Sequence, residues 1–152
     1  MDEVDLHAQA VRDGELAHPI HGVYLAPTKV PDADAHLNRA RAILMRQGTS
    51  AVLSHDSAAV AHGVPLRHRD PPVVHFTVPP PVRGRRHRAY HAHSAALEAD
   101  EVGVKHGIPV TSLTRTIIDV MRTTPYVWAV IAADWALSRG VSREALLAFA
   151  DE

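Results

Sequence analysis

The chain has 152 residues, a formal net charge of -1 with histidine counted as neutral, 12 histidines and no cysteine. This length suits one domain, or one domain with a small appendage, and it is sufficient for a buried core. The lack of cysteine excludes disulfides, cysteine-ligated metals and cysteine nucleophiles, and no apolar run reaches the ~20 residues of a membrane-spanning helix. We therefore expect a cytoplasmic protein with no membrane contact, in which any nucleic-acid binding depends on local clusters of positive charge.

The first elements predict a helix and a hairpin. Residues 3–13 have the spacing of a short amphipathic helix, and Gly14 suits the left-handed residue that follows a helix. Residues 16–25 then place apolar side chains among polar ones around the pair His21-Gly22, which predicts two strands joined by a tight turn. A helix followed by such a hairpin is typical of the recognition helix and wing of a winged helix-turn-helix, so Arg12 and His21 are candidate DNA-contacting residues.

A second helix and a strand–helix unit follow. The segment from about Asp34 to Gln47, capped by Asp32 or Asp34, predicts a helix that Gly48 ends. Its apolar stripe consists of Leu37, Ala40, Ile43 and Leu44. In "AVLSHDSAAVAHGVP" (51–65) a short strand precedes a helix with Ser54 as its cap. The cap accounts for this serine without catalysis, because the groups of a catalytic triad normally come from distant segments of the chain.

Two alternating segments, 73–78 and 88–95, predict neighbouring strands with an arginine-rich loop between them. The loop contains four arginines within six residues: Arg83, Arg85, Arg86 and Arg88. Guanidinium groups at this density favour contacts with DNA phosphates, and three or four such contacts would give a salt slope of roughly -3 to -4 in log units. The alternative is a solvated loop whose arginines keep the sheet soluble and discourage pairing at its edge.

The same strands carry histidines that raise the question of a metal site. His91 and His93 lie on one face of their strand, and His75 would lie opposite them on the neighbouring strand. The chain has no H-E-x-x-H motif and no cysteine, and His55 and His62 are two helical turns apart, too far for one ion. Since strand histidines are more often half-exposed surface residues, we expect no metal, no cofactor and no catalysis.

The last third predicts one further strand stretch and three helices. Residues 101–110 alternate and would complete a small antiparallel sheet. A helix capped by Thr111 or Ser112 runs to about Arg122, with Arg115 and Asp119 paired on its surface. Pro125 then opens a helix whose wide apolar face suggests a central place in the core, and Ser142 caps the final helix. Helices packed on a small antiparallel sheet form an α+β domain.

The predicted central helix carries two tryptophans, seven residues apart on one face. Core packing is the simpler explanation for Trp128 and Trp135. Exposed tryptophans would instead mark a partner or dimer surface.

Several strings in this order resemble one family. They are "GVYLAP", "AVLSHDSAAVAHGVP", "VHFTVP" followed by the arginine cluster, "GIPVTSLTRTIIDV" and "AADWALSRGVSREAL". Together they resemble AbiEi-type antitoxins of type IV toxin–antitoxin systems, and actinobacterial ones in particular. The resemblance implies an N-terminal winged helix-turn-helix that binds its own promoter, and a C-terminal domain needed to counteract a nucleotidyltransferase toxin. It also implies two further helices ahead of the equivalent of residues 3–13. Residues 1–28 would then be a partial winged helix-turn-helix, its last helix and wing, and residues 29–152 the C-terminal-like domain.

We therefore expect an antitoxin and transcriptional regulator that binds without catalysis, alone or as a homodimer. Its DNA-contacting residues would be Arg12, His21, Arg83, Arg85, Arg86 and Arg88. The alternative is a protein-interaction module that remains from a longer protein with a restriction-like nuclease domain.

Overall fold

The computed structural model describes residues 3–14, 17–20, 22–25, 32–48, 50–68 and 70–148, with the backbone alone for 3–5, 17–20, 24, 32 and 33. The helices are α1 (Glu3–Arg12), α2 (Asp32–Gln47), α3 (His55–His62), α4 (Leu113–Thr123), α5 (Tyr126–Leu137) and α6 (Arg143–Ala148). The strands are β1 (Ala17–Ile20), β2 (Val23–Leu25), β3 (Val52–Leu53), β4 (Val74–Val78), β5 (Arg85–Arg86), β6 (Tyr90–Ser94), β7 (Val102–Lys105) and β8 (Ile108–Thr111). The α+β class is confirmed. Among the helices described, none has the length and apolarity needed to cross a bilayer.

The main sheet has six strands in the order β5-β6-β4-β3-β8-β7, and it is mixed rather than antiparallel. The expected antiparallel pairing of the two histidine-bearing strands is wrong, because β4 and β6 run parallel with His75 beside His91. The reason lies in the arginine segment, which forms strand β5 antiparallel to β6 instead of a simple loop. The chain therefore reverses direction twice between β4 and β6.

The N-terminal helix and hairpin form as predicted. Gly14 follows α1 with φ +75°, and β1 pairs antiparallel with β2. Val23 is buried in the same apolar cluster as Leu37 of α2, so the hairpin packs against the rest of the molecule. The expected division between residues 28 and 29 lies outside the described residues, as do Leu16 and His21 of the predicted hairpin.

Within the described part of the chain, two apolar clusters make up the core. In the first, the predicted stripe of α2 packs on the sheet face formed by Val74, Phe76 and Val78. α2 begins at Asp32, two residues before the expected Asp34, and Gly48 ends it with φ +91°. In the second, α4, α5 and α6 pack together with Ala59 of α3. Ala58 and Ala61 of α3 belong to the first cluster, so α3 joins the two.

α5 is not central to the core, contrary to its apolar sequence. Of its side chains only Ala132 and Ala136 are buried, whereas Tyr126 is 83% exposed and Val127 64% exposed. Trp128 and Trp135 are half-buried. They are therefore neither fully packed in the core nor fully exposed as a partner surface would require. The sequence is apolar on all sides of this helix, but its buried alanines lie on the side that packs against α4.

Candidate functional site

The four arginines of the 83–88 segment lie on an ordered hairpin at the edge of the sheet. Arg85 pairs with Ala92 of β6, and Arg86 pairs with His91. At the tip, the His87 N–H donates to the Tyr90 carbonyl at 2.8 Å and the two rings stack with centroids 4.8 Å apart. At the base, the Ser94 hydroxyl donates to the Val82 carbonyl at 2.7 Å. Both ends of the hairpin are therefore fixed to β6.

Gly84 allows this close pairing. A Cβ at this position would lie 3.0 Å from the carbonyl oxygen of Ala92, which is a backbone atom and cannot rotate away. A larger residue would push the arginine strand away from β6.

The hairpin arginines lack the carboxylate partners that Arg39 and Arg115 have elsewhere in the described chain. Arg83, Arg85, Arg86 and Arg88 are all exposed. None of them forms an ion pair with a carboxylate within the described chain. By contrast, Arg39 pairs with Asp70, and Arg115 pairs with both Glu101 and Asp119. The hairpin therefore presents uncompensated positive charge on a chain whose overall formal net charge is -1.

A cluster of histidines lies on the same sheet face as Arg86. The parallel register of β4 and β6 sets His75 beside His91 and Thr77 beside His93, as the alternation predicts. The Nδ1 of His75 is 3.0 Å from the Nε2 of His93, and the rings of His91 and His93 have centroids 4.0 Å apart. Sequence alone therefore located three members of this cluster correctly.

The fourth member, His55, comes from the start of α3. Its ring stacks on that of His93, with centroids 3.7 Å apart and planes 13° from parallel. Burial lowers the pKa of His55 to about 3, and burial lowers the pKa of both His75 and His93 to about 4. These three imidazoles are therefore neutral near pH 7.

The sequence did not indicate that His55 belongs to the histidine cluster, because its neighbours there are about 20 or more residues away along the chain. The only local signal is a strand that leads directly into a helix through Ser54. The structure places His55 at this elbow with φ +51°, a left-handed conformation that is uncommon for a residue other than glycine. Such backbone outliers occur preferentially at functional sites.

Ser54 occupies the predicted N-cap position, but its hydroxyl does not cap the helix. Instead it accepts a hydrogen bond from Thr77 Oγ1 at 2.9 Å and lies 3.0 Å from His55 Nδ1. The expected cap interaction is therefore wrong, since the hydroxyl bonds to Thr77 of the sheet instead of to a backbone N–H of the helix. Ser57 also bonds across to the sheet, where its Oγ accepts from the His75 N–H at 2.8 Å.

Asp119 of α4 lies behind His55. Its Oδ1 accepts from Arg115 Nε at 3.1 Å, as the i,i+4 spacing predicts, but the pair is not at the surface because Asp119 is 4% exposed. Its Oδ2 is buried and has no hydrogen-bond partner among the described residues; it lies 3.9 Å from His55 Nδ1. Burial raises the pKa of Asp119, against the lowering effect of Arg115.

The predicted DNA-contacting residues fall on two separate elements. Arg12 is exposed on α1, where its guanidinium donates to Gln9 Oε1 at 2.7 Å, whereas the four other arginines belong to the hairpin at the sheet edge. His21 lies outside the described residues. Comparison of the chain with protein-family models and with curated protein sequences finds no match.

Proposed function

We propose that this protein is a non-catalytic, cytoplasmic DNA-binding regulator of the AbiEi antitoxin type, which binds phosphates through its arginine hairpin. The observation that carries the proposal is the set of four exposed arginines without carboxylate partners on a hairpin fixed at both ends. Phosphate contacts from arginine supply most of the affinity of sequence-independent DNA binding.

The fixed conformation of the arginine hairpin favours DNA binding over the alternative of a solvated loop that only protects the sheet edge. A binding loop that is already fixed loses less conformational entropy when it meets its ligand. Here the hairpin is held at its tip by the hydrogen bond and ring stack between His87 and Tyr90. It is held at its base by the hydrogen bond from the Ser94 hydroxyl to the Val82 carbonyl. Arginines that served only to protect the edge would not need such a fixed arrangement.

The antitoxin assignment rests on the sequence resemblance. The helix α1 and the hairpin β1–β2 have the order of a recognition helix and wing, and Arg12 adds a cation to that end of the chain. In this role the protein binds DNA near its own gene and counteracts a nucleotidyltransferase toxin. Co-expression with a nucleotidyltransferase from the neighbouring genes tests the second part: relief of its growth arrest is the expected result, and unrelieved arrest would contradict it.

DNA binding is tested by fluorescence anisotropy with a duplex from the region upstream of the gene, across a series of salt concentrations. We expect a log–log salt slope of about -3 to -4 for the wild type. The double variant Arg85→Ala/Arg86→Ala should flatten this slope by about 2. The matched control Arg139→Ala/Arg143→Ala removes the same charge just after α5 and on α6 and should leave the slope unchanged. Equal effects of the two pairs would show that only net charge matters and would refute a hairpin site.

A second candidate function, a protein-interaction module, is favoured by the exposed side of α5. Tyr126, Val130 and Leu137 are 83%, 48% and 40% exposed, and Val127 and Ile131 adjoin them. Contiguous exposed apolar side chains of this kind mark protein contacts. A second copy of the chain is the occupant we would test. Sedimentation should then show a dimer that Val127→Lys/Val130→Lys dissociates, and DNA binding that depends on the hairpin but not on α5 would favour the first candidate.

A further inference from the structure

We propose that His55, His75 and His93 form a binding site for a transition-metal dication of the Zn²⁺ class. One potential ligand atom from each of the three side chains lies within 4.8 Å of the others. This inference departs from the expectation of no metal, which considered His75 with His91 and His93 but not His55.

The positions of the donor atoms are close to those of a metal site. Zinc–nitrogen bonds of about 2.0–2.1 Å in a tetrahedral site place the nitrogens about 3.4 Å apart. His75 Nδ1 and His93 Nε2 are 3.0 Å apart and hydrogen-bonded, so a cation between them requires that they separate slightly and that the shared proton leave or move to the other nitrogen of its ring. The most distant pair must close by at most about 1.4 Å, and the stacked rings of His55 and His93 must rotate so that their donor atoms converge on the ion.

The surroundings of His55 are those of a metal-binding imidazole. Such a histidine usually directs its other ring nitrogen to a carboxylate or another polar group, which fixes the ring and raises its basicity. His55 Nδ1 lies 3.0 Å from Ser54 Oγ and 3.9 Å from the unpartnered Oδ2 of Asp119. We assign Nε2 as its metal-binding nitrogen, and the unpartnered Asp119 oxygen then has a role in orienting the ring.

The backbone of His55 is an independent observation. A left-handed conformation at a residue other than glycine is strained and persists only where the surroundings enforce it. Here it brings a side chain from α3 onto the face formed by β4 and β6. A residue that only started the helix would not need this conformation.

The donor set selects the class of ion. Imidazole nitrogens suit Zn²⁺, Cu²⁺, Ni²⁺ and Co²⁺, whereas Mg²⁺ and Ca²⁺ require oxygen ligands. Three histidines leave a fourth tetrahedral position for water or an anion. His91 lies beside His93 but is not one of the three ligands.

The test is Zn²⁺ binding to the full chain after chelator treatment and dialysis, by titration calorimetry and elemental analysis. We expect one equivalent per chain, at least tenfold weaker binding in His55→Ala and in His93→Ala, and at most a threefold change in the matched control His91→Ala. Less than half an equivalent in the wild type, or equal losses in all three variants, would overturn the proposal.

A second measurement on the wild type does not depend on whether the variants fold. Zinc X-ray absorption counts the imidazoles bound at about 2.0 Å. Three imidazoles support the site, and two or fewer overturn it, because the proposed site binds the ion through all three histidines.

Discussion

Asp119 directs one buried oxygen toward Arg115 and the other toward His55. The first forms an ion pair at 3.1 Å from Nε, and the second lies 3.9 Å from Nδ1 without a hydrogen bond from any described residue. The carboxylate therefore links α4 to the elbow that holds His55. Because Arg115 also pairs with Glu101 at 3.0 Å, the guanidinium keeps one partner if Asp119 is replaced.

Replacement of Asp119 by alanine should lower the free energy of unfolding by roughly 2–3 kcal/mol. This is below the 3–5 kcal/mol typical of a broken buried pair, since Glu101 still compensates Arg115. Asp119→Asn keeps an oxygen that can accept from Arg115, so it should cost about 1 kcal/mol. Urea unfolding measures both values. Asp134→Ala, at an exposed carboxylate of α5, is the control and should change stability by less than about 0.5 kcal/mol. Equal losses at positions 119 and 134 would contradict the role of the buried pair.

Local periodicity predicted most of the elements, because each depends on nearby residues. The stripe of α2, the alternation of β4 and β6, the N-terminal hairpin and the Ser112 cap all have the predicted form. The prediction of an antiparallel sheet was wrong because the relative direction of β4 and β6 depends on whether residues 85–86 form an additional strand. No local pattern in the sequence indicates that they do. The prediction that α5 is central to the core was wrong, because a helix that is apolar on all sides does not reveal which side it buries.

The candidate site was predicted in part for the same reason. Strand alternation brought His75, His91 and His93 to one face, and the arginine cluster was visible as a run in the sequence. His55 joins them only through packing of α3 on the sheet, and the hydroxyl of Ser54 turned to the sheet rather than to the helix. Contacts between distant segments lie beyond what periodicity can indicate.

Gly84→Ala should weaken DNA binding without any change in charge. The added Cβ would lie 3.0 Å from the carbonyl oxygen of Ala92, so β5 must move away from β6 and carry Arg85 and Arg86 with it. We expect a several-fold loss of affinity in anisotropy measurements with the upstream duplex. Gly103→Ala is the matched control in strand β7, where a Cβ would have no neighbour within 4 Å. An unchanged affinity for Gly84→Ala would show that binding does not need the ordered hairpin.

Ser57→Ala should destabilise the protein by about 1–3 kcal/mol, because it leaves buried groups without a hydrogen-bond partner. Ser57 Oγ accepts from the backbone N–H of His75 at 2.8 Å and lies 2.8 Å from Nε2 of His36. Differential scanning calorimetry should show a lower Tm. Ser138→Ala, at an exposed hydroxyl bonded only near its own helix end, should leave the Tm nearly unchanged. A Ser57→Ala variant as stable as the wild type would mean that water replaces the hydroxyl.

His36 should make the protein sensitive to acid between about pH 6.5 and pH 4. Burial, aided by the positive charge of Arg39, lowers the pKa of this histidine from 6.5 to about 4, so the folded state holds it neutral. As the pH falls through this range, the unfolded chain binds a proton that the folded chain does not, and stability decreases. The slope from one such group is at most about 1.4 kcal/mol per pH unit, and it disappears below the folded pKa.

The measurement is urea unfolding of the wild type and of His36→Gln at several pH values from 7.5 to 4. The variant loses the contacts of the ring with Pro71 and Ser57, so it should be the less stable protein at pH 7.5. Its stability should fall less steeply with acid, because glutamine does not titrate, and the two curves should converge toward pH 4. Ser138→Ala, which removes an exposed hydroxyl and no titratable group, should instead give a curve parallel to that of the wild type. Parallel curves for His36→Gln would show that this ring takes up its proton equally well in the folded and unfolded states.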